Sequence, residues 1–263
     1  MRHPLFSKAK YFIFDMDGTF YLGDQMIPGA GGFAGSLAGK GLDYRFFTNN
    51  SSNSAALCSE KLGKMGFPTP QDNIVLSSDV AADYLVTHCP GARVYLLGNE
   101  RLTQDLQRAG ITLVDDNPDL ILLGFDTTLT YEKINKAANW LAAGLPYYAT
   151  HPDVNCPMKE GFMPDTGAMM AMFEASAGRR PDIVFGKPMH YTVDYLTKRL
   201  RCKPEELVFV GDRIETDVAI GFNHGIPSVL VLTGATTLEA YEAQDEIKAG
   251  LVVDGLASLA EYV

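Results

Sequence analysis

The sequence has few of the features that mark secreted, membrane-spanning or nucleic-acid-binding proteins. Its four cysteines, Cys58, Cys89, Cys156 and Cys202, are scattered and form no Cys-x-x-Cys pair. That spacing is typical of a reducing compartment rather than of a disulfide framework or a zinc site. No apolar stretch approaches the roughly 20 residues of a membrane span. Since 22 Lys and Arg face 32 Asp and Glu, the net charge of −10 argues against binding to nucleic acid or anionic membranes.

The N-terminal segment also lacks the pattern of a secretory signal, because its apolar run is short and is interrupted by Asp15. Together with the cysteine pattern, this predicts a cytoplasmic protein. The length of 263 residues suits one large domain or two smaller ones. A hydrophobic content of 46% with 21% charged residues is typical of a globular chain that buries a substantial core.

Short apolar runs alternate with helical patterns along the chain. The predicted strands are residues 11–14, 44–47, 93–97, 120–123, 147–149, 207–210, 228–232 and 251–253. Helices are predicted between them, for example from Thr130 to Gly144, with Ser or Thr at the start and Gly at the end. This alternation predicts the α/β class, with a parallel sheet wrapped by helices.

Two carboxylates follow the first predicted strand directly, in the segment Asp15-Met-Asp17-Gly-Thr. Ligands of open α/β sheets bind beyond the carboxyl ends of the strands. Extended residues two apart point the same way, so Asp15 and Asp17 could address one reacting group. Paired carboxylates stay ionised more easily beside a cation or with a shared proton. The pair therefore indicates a metal, a division of acid and base roles, or both, with a plain polar turn as the alternative.

Three later segments carry polar side chains at similar places. Thr48-Asn-Asn-Ser-Ser52 precedes a helix and offers hydroxyl, amide and backbone N–H groups to an anion, or else forms a helix cap. Lys187 stands between a glycine and a proline, where a lysine held in a turn can pair with a phosphate or a carboxylate. Asp212 follows another predicted strand, and Asp217 lies about one helical turn further on.

In this order and context, the four segments resemble the haloacid dehalogenase superfamily of phosphatases. Thr48 and Lys187 are 139 residues apart. In this spacing the chain resembles the branch with a large inserted cap, the p-nitrophenylphosphatase and NagD-like proteins. The resemblance implies a Rossmann-like doubly wound parallel-sheet core over residues 1–78 and 179–263. It also implies an inserted α/β cap domain over residues 79–178 that determines substrate specificity.

The resemblance implies a phosphomonoesterase that depends on Mg²⁺ and acts on small phosphorylated metabolites such as nucleoside monophosphates or sugar phosphates. Asp15 would attack phosphorus and form an aspartyl-phosphate. Asp17 would protonate the leaving alcohol and then deprotonate the hydrolytic water. No nucleic acid or membrane partner is expected, and exposed cap surface could support a homodimer.

The same resemblance implies roles for the remaining motif residues. The Mg²⁺ ligands would be Asp15, Asp17 through its backbone carbonyl, and Asp212. The residues that hold the phosphoryl oxygens would be Thr48, Asn49 and Lys187. Asp217 would orient Lys187 or a metal-bound water, or else would be a helix acid that the dipole favours.

Two loops of the expected cap are predicted to influence substrate choice. His151 stands before Pro152 and Asp153, where the family more commonly has Asn. Asp165 opens a predicted helix within the second loop. Ordinary helix capping is the alternative role for these residues.

Two other functions remain open on the same scaffold. A phosphomutase or phosphotransferase would use the same residues, and a non-catalytic phosphoacceptor would need only an Asp, a Thr and a Lys. A dehalogenase needs no acid for its leaving group, so Asp17 argues against it.

Overall fold

The structure is a computed structural model, and it describes residues 3–158 and 160–263. Most strands are short apolar runs that end in a loop and a helix. Their bounds are β1 (Tyr11–Phe14), β2 (Tyr21–Leu22), β3 (Gln25–Met26), β4 (Asp43–Thr48), β5 (Ile74–Leu76), β6 (Arg93–Leu97), β7 (Thr112–Leu113), β8 (Leu120–Leu123), β9 (Tyr147–Ala149), β10 (Asn155–Pro157), β11 (Phe162–Pro164), β12 (Ile183–Val184), β13 (Leu207–Gly211), β14 (Ser228–Val231) and β15 (Leu251–Val253).

The helices lie between these strands, and several end at a glycine in the left-handed region. Their bounds are α1 (Ala30–Leu37), α2 (Ala55–Lys64), α3 (Ser77–His88), α4 (Glu100–Arg108), α5 (Tyr131–Ala142), α6 (Thr166–Ala177), α7 (His190–Leu200), α8 (Ala219–His224), α9 (Leu238–Glu242) and α10 (Leu256–Leu259). A π-helical turn, Ile214–Val218, leads directly into α8.

The larger sheet has the strand order β15-β14-β13-β1-β4-β5. Strand β1 pairs in parallel with β13 on one side and with β4 on the other. All five residues of β13 are buried, because a parallel strand covered on both faces needs a continuous apolar run. The order reverses direction beside β1, as in the Rossmann fold, and such a switch point is where open α/β sheets bind ligands.

The smaller sheet has the order β12-β9-β8-β6-β7, with parallel pairing throughout. It has a core of its own, in which Tyr147 and Phe173 are fully buried. Two antiparallel hairpins, β2–β3 and β10–β11, complete the strand pairing. The predicted α/β class with a Rossmann-like doubly wound core is confirmed.

The chain divides into two compact units. The first comprises the described residues of Met1–Thr48, Ala55–Val75 and Lys187–Val263, and the second comprises those of Asn49–Ser54 and Leu76–Gly186. The expected core, 1–78 and 179–263, and the expected cap, 79–178, differ from these units by three residues at the first junction and by eight at the second. They also differ at Asn49–Ser54, which lies in the second unit although it was expected in the core. The role of the second unit as a specificity cap stays a prediction. Within the described residues, no helix is long and apolar enough to cross a membrane.

Candidate active site

The carboxyl ends of three neighbouring strands bring the predicted site residues of the first unit together. Asp15 follows β1, and its backbone N–H donates to the carbonyl of Val210 in β13 at 2.9 Å. Asp212 follows β13 directly, and Thr48 is the buried last residue of β4. Because parallel strands end at the same edge of a sheet, residues far apart in sequence meet there.

Lys187 forms two ion pairs at this edge. Its Nζ lies 2.6 Å from Oδ1 of Asp15 and 2.6 Å from Oδ1 of Asp217. A third, longer contact of 3.4 Å runs to the carbonyl oxygen of Phe47. Only 3% of the Lys187 side chain is exposed, so these partners rather than water satisfy the ammonium.

The second carboxylate oxygen of Asp217 binds the start of the helix in which Asp217 lies. Its Oδ2 accepts a hydrogen bond from the backbone N–H of Arg213 at 3.1 Å. One carboxylate thus caps the π-helical turn and binds Lys187. The predicted task of orienting Lys187 is consistent with this geometry.

Asp212 is buried and is fixed by two donors. Its Oδ1 accepts from the Thr19 hydroxyl at 3.3 Å, and its Oδ2 accepts from the backbone N–H of Ala235 at 2.6 Å. Gly18 has a φ of +84°, and a Cβ added there would collide with the Asp212 carboxylate. The glycine of the Asp-x-Asp-Gly-Thr segment is therefore required both by its backbone conformation and by the close approach of Asp212.

The carboxylates of Asp15, Asp212 and Asp217 lie close together, and Lys187 pairs with two of them, Asp15 and Asp217. This crowding sets the electrostatics of the site. Burial raises the pKa of Asp15 well above its ordinary range; Lys187 offsets part of this rise, while Asp217 and Asp212 add to it. Burial, with a contribution from Asp217, raises the pKa of Asp212 to about 6. Burial also opposes the charge on Lys187, but the carboxylates of Asp15 and Asp217 outweigh it and raise the lysine pKa.

The donor set of this cluster fits a divalent cation. Carboxylate oxygens of Asp15, Asp212 and Asp217 lie within 4.8 Å of one another. Hard cations such as Mg²⁺ and Ca²⁺ prefer oxygen ligands of this kind. A cation there would also offset the negative charge that Lys187 leaves uncompensated.

Asp17 lies apart from this cluster of buried carboxylates, with 52% of its side chain exposed. Its Oδ2 accepts a hydrogen bond from the Tyr21 hydroxyl at 3.1 Å, and Nζ of Lys61 lies 4.0 Å from its Oδ1. The surrounding protein desolvates the carboxyl and raises its pKa, against the opposing effects of Lys61 and Tyr21. A carboxyl with a raised pKa is suited to donating and accepting a proton.

Comparison with known proteins identifies the family of this chain. A family model described as haloacid dehalogenase-like hydrolase matches residues 12–112, and one described as HAD-hydrolase-like matches residues 184–259. A 4-nitrophenylphosphatase from Thermotoga maritima is 44% identical, with a TM-score of 0.95 over 98% of this chain and 99% of that chain. The chain belongs to the haloacid dehalogenase-like hydrolases.

Two more haloacid dehalogenase relatives are similar along most of the chain. An acid sugar phosphatase from Staphylococcus aureus is 35% identical over 231 residues, which are 88% of this chain and 89% of that protein. A glycerol phosphate phosphatase from Mycobacterium tuberculosis, crystallised with calcium, is 30% identical with a TM-score of 0.87. It covers 97% of this chain and 76% of its own. The predicted enzyme class, a phosphatase of the haloacid dehalogenase type, is confirmed.

The predicted specificity residues of this hydrolase lie in the second unit and are mostly buried. His151 is fully buried, with Nε2 2.9 Å from Oδ1 of Asp165 and Nδ1 3.0 Å from the hydroxyl of Thr150. Asp165 is 3% exposed and caps α6 by accepting from the backbone N–H of Thr166 at 2.6 Å. A role in substrate choice stays a prediction for both, and it would act through the loops that they hold.

Asp153 ties the same loop to the predicted phosphate-binding segment. Its Oδ1 accepts from Nδ2 of Asn49 at 2.9 Å, and the Asn49 carbonyl accepts from the Ser77 hydroxyl at 2.7 Å. The backbone of Asp153 accepts from Gly167 at 2.7 Å. Asn49 is therefore positioned within the second unit, although it directly follows Thr48.

Three contacting residues were not predicted from the sequence. Thr19 belongs to the quoted Asp-Gly-Thr segment, so its place next to the acids was a usable signal. Tyr21 and Lys61 carry no such signal, because one stands in a two-residue strand and the other on the face of a separate helix.

Proposed function

We propose that the protein is a phosphomonoesterase that depends on Mg²⁺ and hydrolyses small phosphorylated metabolites through an aspartyl-phosphate on Asp15. The observation that supports this most strongly is the placing of Asp15 at the switch point of the sheet, paired with Lys187 and close to Asp212. Phosphoryl transfer depends mainly on positioning and on stabilising charge, and this cluster supplies both.

In the first step, a carboxylate oxygen of Asp15 forms a bond to phosphorus, and the bond from phosphorus to the ester oxygen breaks. Asp17 donates its proton to that oxygen, and the alcohol leaves. Lys187 holds the Asp15 carboxylate at 2.6 Å and would also stabilise a phosphoryl oxygen in the transition state.

In the second step, water attacks phosphorus of the aspartyl-phosphate, and the bond between phosphorus and the Asp15 oxygen breaks. Asp17, now ionised, takes the proton of that water. Inorganic phosphate leaves, and both carboxyl groups return to their starting states. Thr48 and Asn49 are the other proposed ligands of the phosphoryl oxygens.

Asp15, Asp212 and the backbone carbonyl of Asp17 would hold the Mg²⁺, and Asp217 would act through Lys187. When bound, the metal would screen the repulsion between the Asp15 carboxylate and an anionic phosphate ester. Burial is the main cause of the raised pKa of Asp15 and of Asp212, and a bound cation would offset its effect on both carboxylates.

The substrate class is proposed from the names of the relatives, which are 4-nitrophenylphosphatase, acid sugar phosphatase and glycerol phosphate phosphatase. Small phosphate monoesters such as sugar phosphates and nucleoside monophosphates are the proposed substrates of this chain. A cytoplasmic location and a homodimer remain predictions from the sequence.

The test is hydrolysis of p-nitrophenyl phosphate by the purified protein, with Mg²⁺, with EDTA, and with Asp15→Asn in Mg²⁺. We expect turnover in Mg²⁺ that EDTA abolishes, that added Mg²⁺ restores, and that Asp15→Asn lacks. The exposed Asp194→Asn in α7 is the matched control and should behave as the wild type. Turnover that persists in Asp15→Asn would overturn the mechanism, and a stable phosphoryl-protein without turnover would favour a phosphoacceptor.

A further inference from the structure

Asp17 has two neighbours that the mechanism above does not use. The Tyr21 hydroxyl lies 3.1 Å from its Oδ2, and Nζ of Lys61 lies 4.0 Å from its Oδ1. Lys61 also lies over the Tyr21 ring, with Nζ 3.9 Å from the ring centroid. A cation at that distance from an aromatic face is attracted by its negative quadrupole. The three side chains therefore form one connected group, which we call the Asp17 clamp.

The backbone around Asp17 holds Tyr21 in place. The N–H of Gly18 donates to the Tyr21 carbonyl at 2.8 Å, and the N–H of Tyr21 donates to the Met16 carbonyl at 3.2 Å. The adjacent Phe20 is buried against Phe46 of β4, with ring centroids 4.7 Å apart. Tyr21 itself is only 2% exposed, so its hydroxyl has little freedom to leave Asp17.

The direction of the hydrogen bond follows from the chemistry of the phenol. A phenol keeps its proton at neutral pH, so the Tyr21 hydroxyl donates it to Oδ2 of Asp17. A bound donor at Oδ2 leaves Oδ1 as the oxygen that carries the proton of a neutral Asp17. Lys61 packs on the ring that presents this hydroxyl.

The geometry points to Tyr21 as a positioning residue, supported by Lys61, that fixes the Asp17 carboxyl so that Oδ1 donates and recovers the proton. This inference rests on the proposed function, since it concerns the acid–base step of the same reaction. Tyr21 would orient a general acid if the inference is right. The alternative is that Tyr21 only stabilises the turn before β2.

The leaving group distinguishes these roles. Phenyl phosphate and p-nitrophenyl phosphate have nearly the same shape, but phenolate needs protonation far more than nitrophenolate does. Tyr21→Phe keeps the buried ring and removes only the hydroxyl. We expect kcat/KM to fall about tenfold for phenyl phosphate and less than about threefold for p-nitrophenyl phosphate, since a positioned general acid contributes on the order of 10²-fold or more. This parameter reports the steps up to release of the alcohol.

Three further variants make the result specific. In Asp17→Asn, adding Tyr21→Phe should cause no further loss, because the two residues act as one unit. Lys61→Met should lower kcat/KM about threefold for phenyl phosphate and less for p-nitrophenyl phosphate. Lys61→Arg, which keeps the cation over the Tyr21 ring, should restore the wild-type kcat/KM. Since Lys61 is partly exposed on α2, this pair also tests the inference if Tyr21→Phe does not fold.

Tyr147→Phe is the matched control. Its buried hydroxyl has no hydrogen-bond partner among the residues that the structure describes, and it lies in the core of the second unit. Equal losses on both esters, or losses in Tyr21→Phe that add fully to those of Asp17→Asn, would overturn the inference. If the wild type hydrolyses neither ester with dependence on Asp15, it is the proposed function that fails.

Discussion

Lys187 and Asp15 are joined by an ion pair of 2.6 Å although 172 residues separate them in the chain. The pair exists because β1 ends beside β4 and β13, where Lys187 also meets Asp217. It joins the proposed nucleophile to a cation that suits an anionic substrate.

Replacing Lys187 by methionine should harm both activity and stability. The carboxylates of Asp15 and Asp217 would lose their buried counter-charge, a change that costs about 3–5 kcal/mol when one partner of a buried pair is removed. We expect kcat/KM on p-nitrophenyl phosphate to fall about 10²–10³-fold. Lys64→Met is the control, because that side chain is 73% exposed and pairs only on the helix surface. A Lys187→Met protein with near wild-type kcat/KM would contradict the assigned role.

When metal is removed, the ionised Asp212 carboxylate should lower the free energy of unfolding, and the pH dependence of stability should show this. Its pKa is about 6 in the folded protein against an ordinary value of 3.8, so the folded state binds more protons between these values. Its contribution to stability therefore falls as the pH rises through this interval. In EDTA, Asp212→Asn should be about 1–3 kcal/mol more stable than the wild type near pH 7, with the gap closing near pH 4.

Asparagine can keep both contacts of Asp212, since its oxygen can accept from Ala235 and its amide can donate to Thr19. Urea unfolding at the two pH values measures the effect, and Mg²⁺ should stabilise the wild type but not Asp212→Asn. An Asp212→Asn protein that is less stable than the wild type near pH 7 in EDTA would show that the charge is already well compensated.

Gly18→Ala should destabilise the protein more than a matched glycine change in the next turn. Both Gly18, with φ +84°, and Gly23, with φ +56°, are in the left-handed region. Only the added Cβ of Gly18 meets the Asp212 carboxylate, whereas no described atom lies within 4 Å of the one at Gly23. We expect about 1 kcal/mol of strain at Gly23 and clearly more at Gly18, with loss of activity only at Gly18. Similar unfolding midpoints and activities for the two would contradict the close approach.

Asp165→Ala should change stability and specificity together. It removes the cap of α6 and leaves Nε2 of buried His151 without its partner, at a cost of about 1–3 kcal/mol. If the loops determine specificity, the ratios of kcat/KM across a panel of phosphate esters should also change. Thr130→Ala is the control, since it removes the cap of α5, an exposed contact of 3.3 Å in the same unit. If the kcat/KM ratios of Asp165→Ala equal those of the wild type, Asp165 caps α6 and does not influence substrate choice.

The sequence predicted most strands of the two sheets. The bounds of β1, β6, β8, β9 and β15 are confirmed residue for residue. Strands β5, β7 and β12 and the two hairpins were not predicted. Each of these strands has two or three residues, and so short a run shows little period, although β9 and β15, with three residues each, were predicted.

The site was predictable to a similar extent. Asp15 and Asp212 were expected after strands, Lys187 in a turn, and Asp217 about one helical turn beyond Asp212. The structure brings these four side chains together. The contacts of Tyr21 and Lys61 with Asp17 were not predicted, because they depend on how a turn closes and on which face of α2 is presented. The burial of His151 was not predicted either, because its contact with Asp165, the N-cap of α6, depends on how two loops come together.

The most direct test of the account is to trap the phosphoryl group. Asp17→Asn should still accept phosphate from p-nitrophenyl phosphate, whose leaving group needs little protonation, but should hydrolyse the intermediate slowly. After rapid acid quenching, mass spectrometry should find the phosphoryl group on the peptide that contains Asp15, and find none in Asp15→Asn. A phosphoryl group on another residue, or none in Asp17→Asn under single-turnover conditions in which nitrophenol is released, would contradict the account.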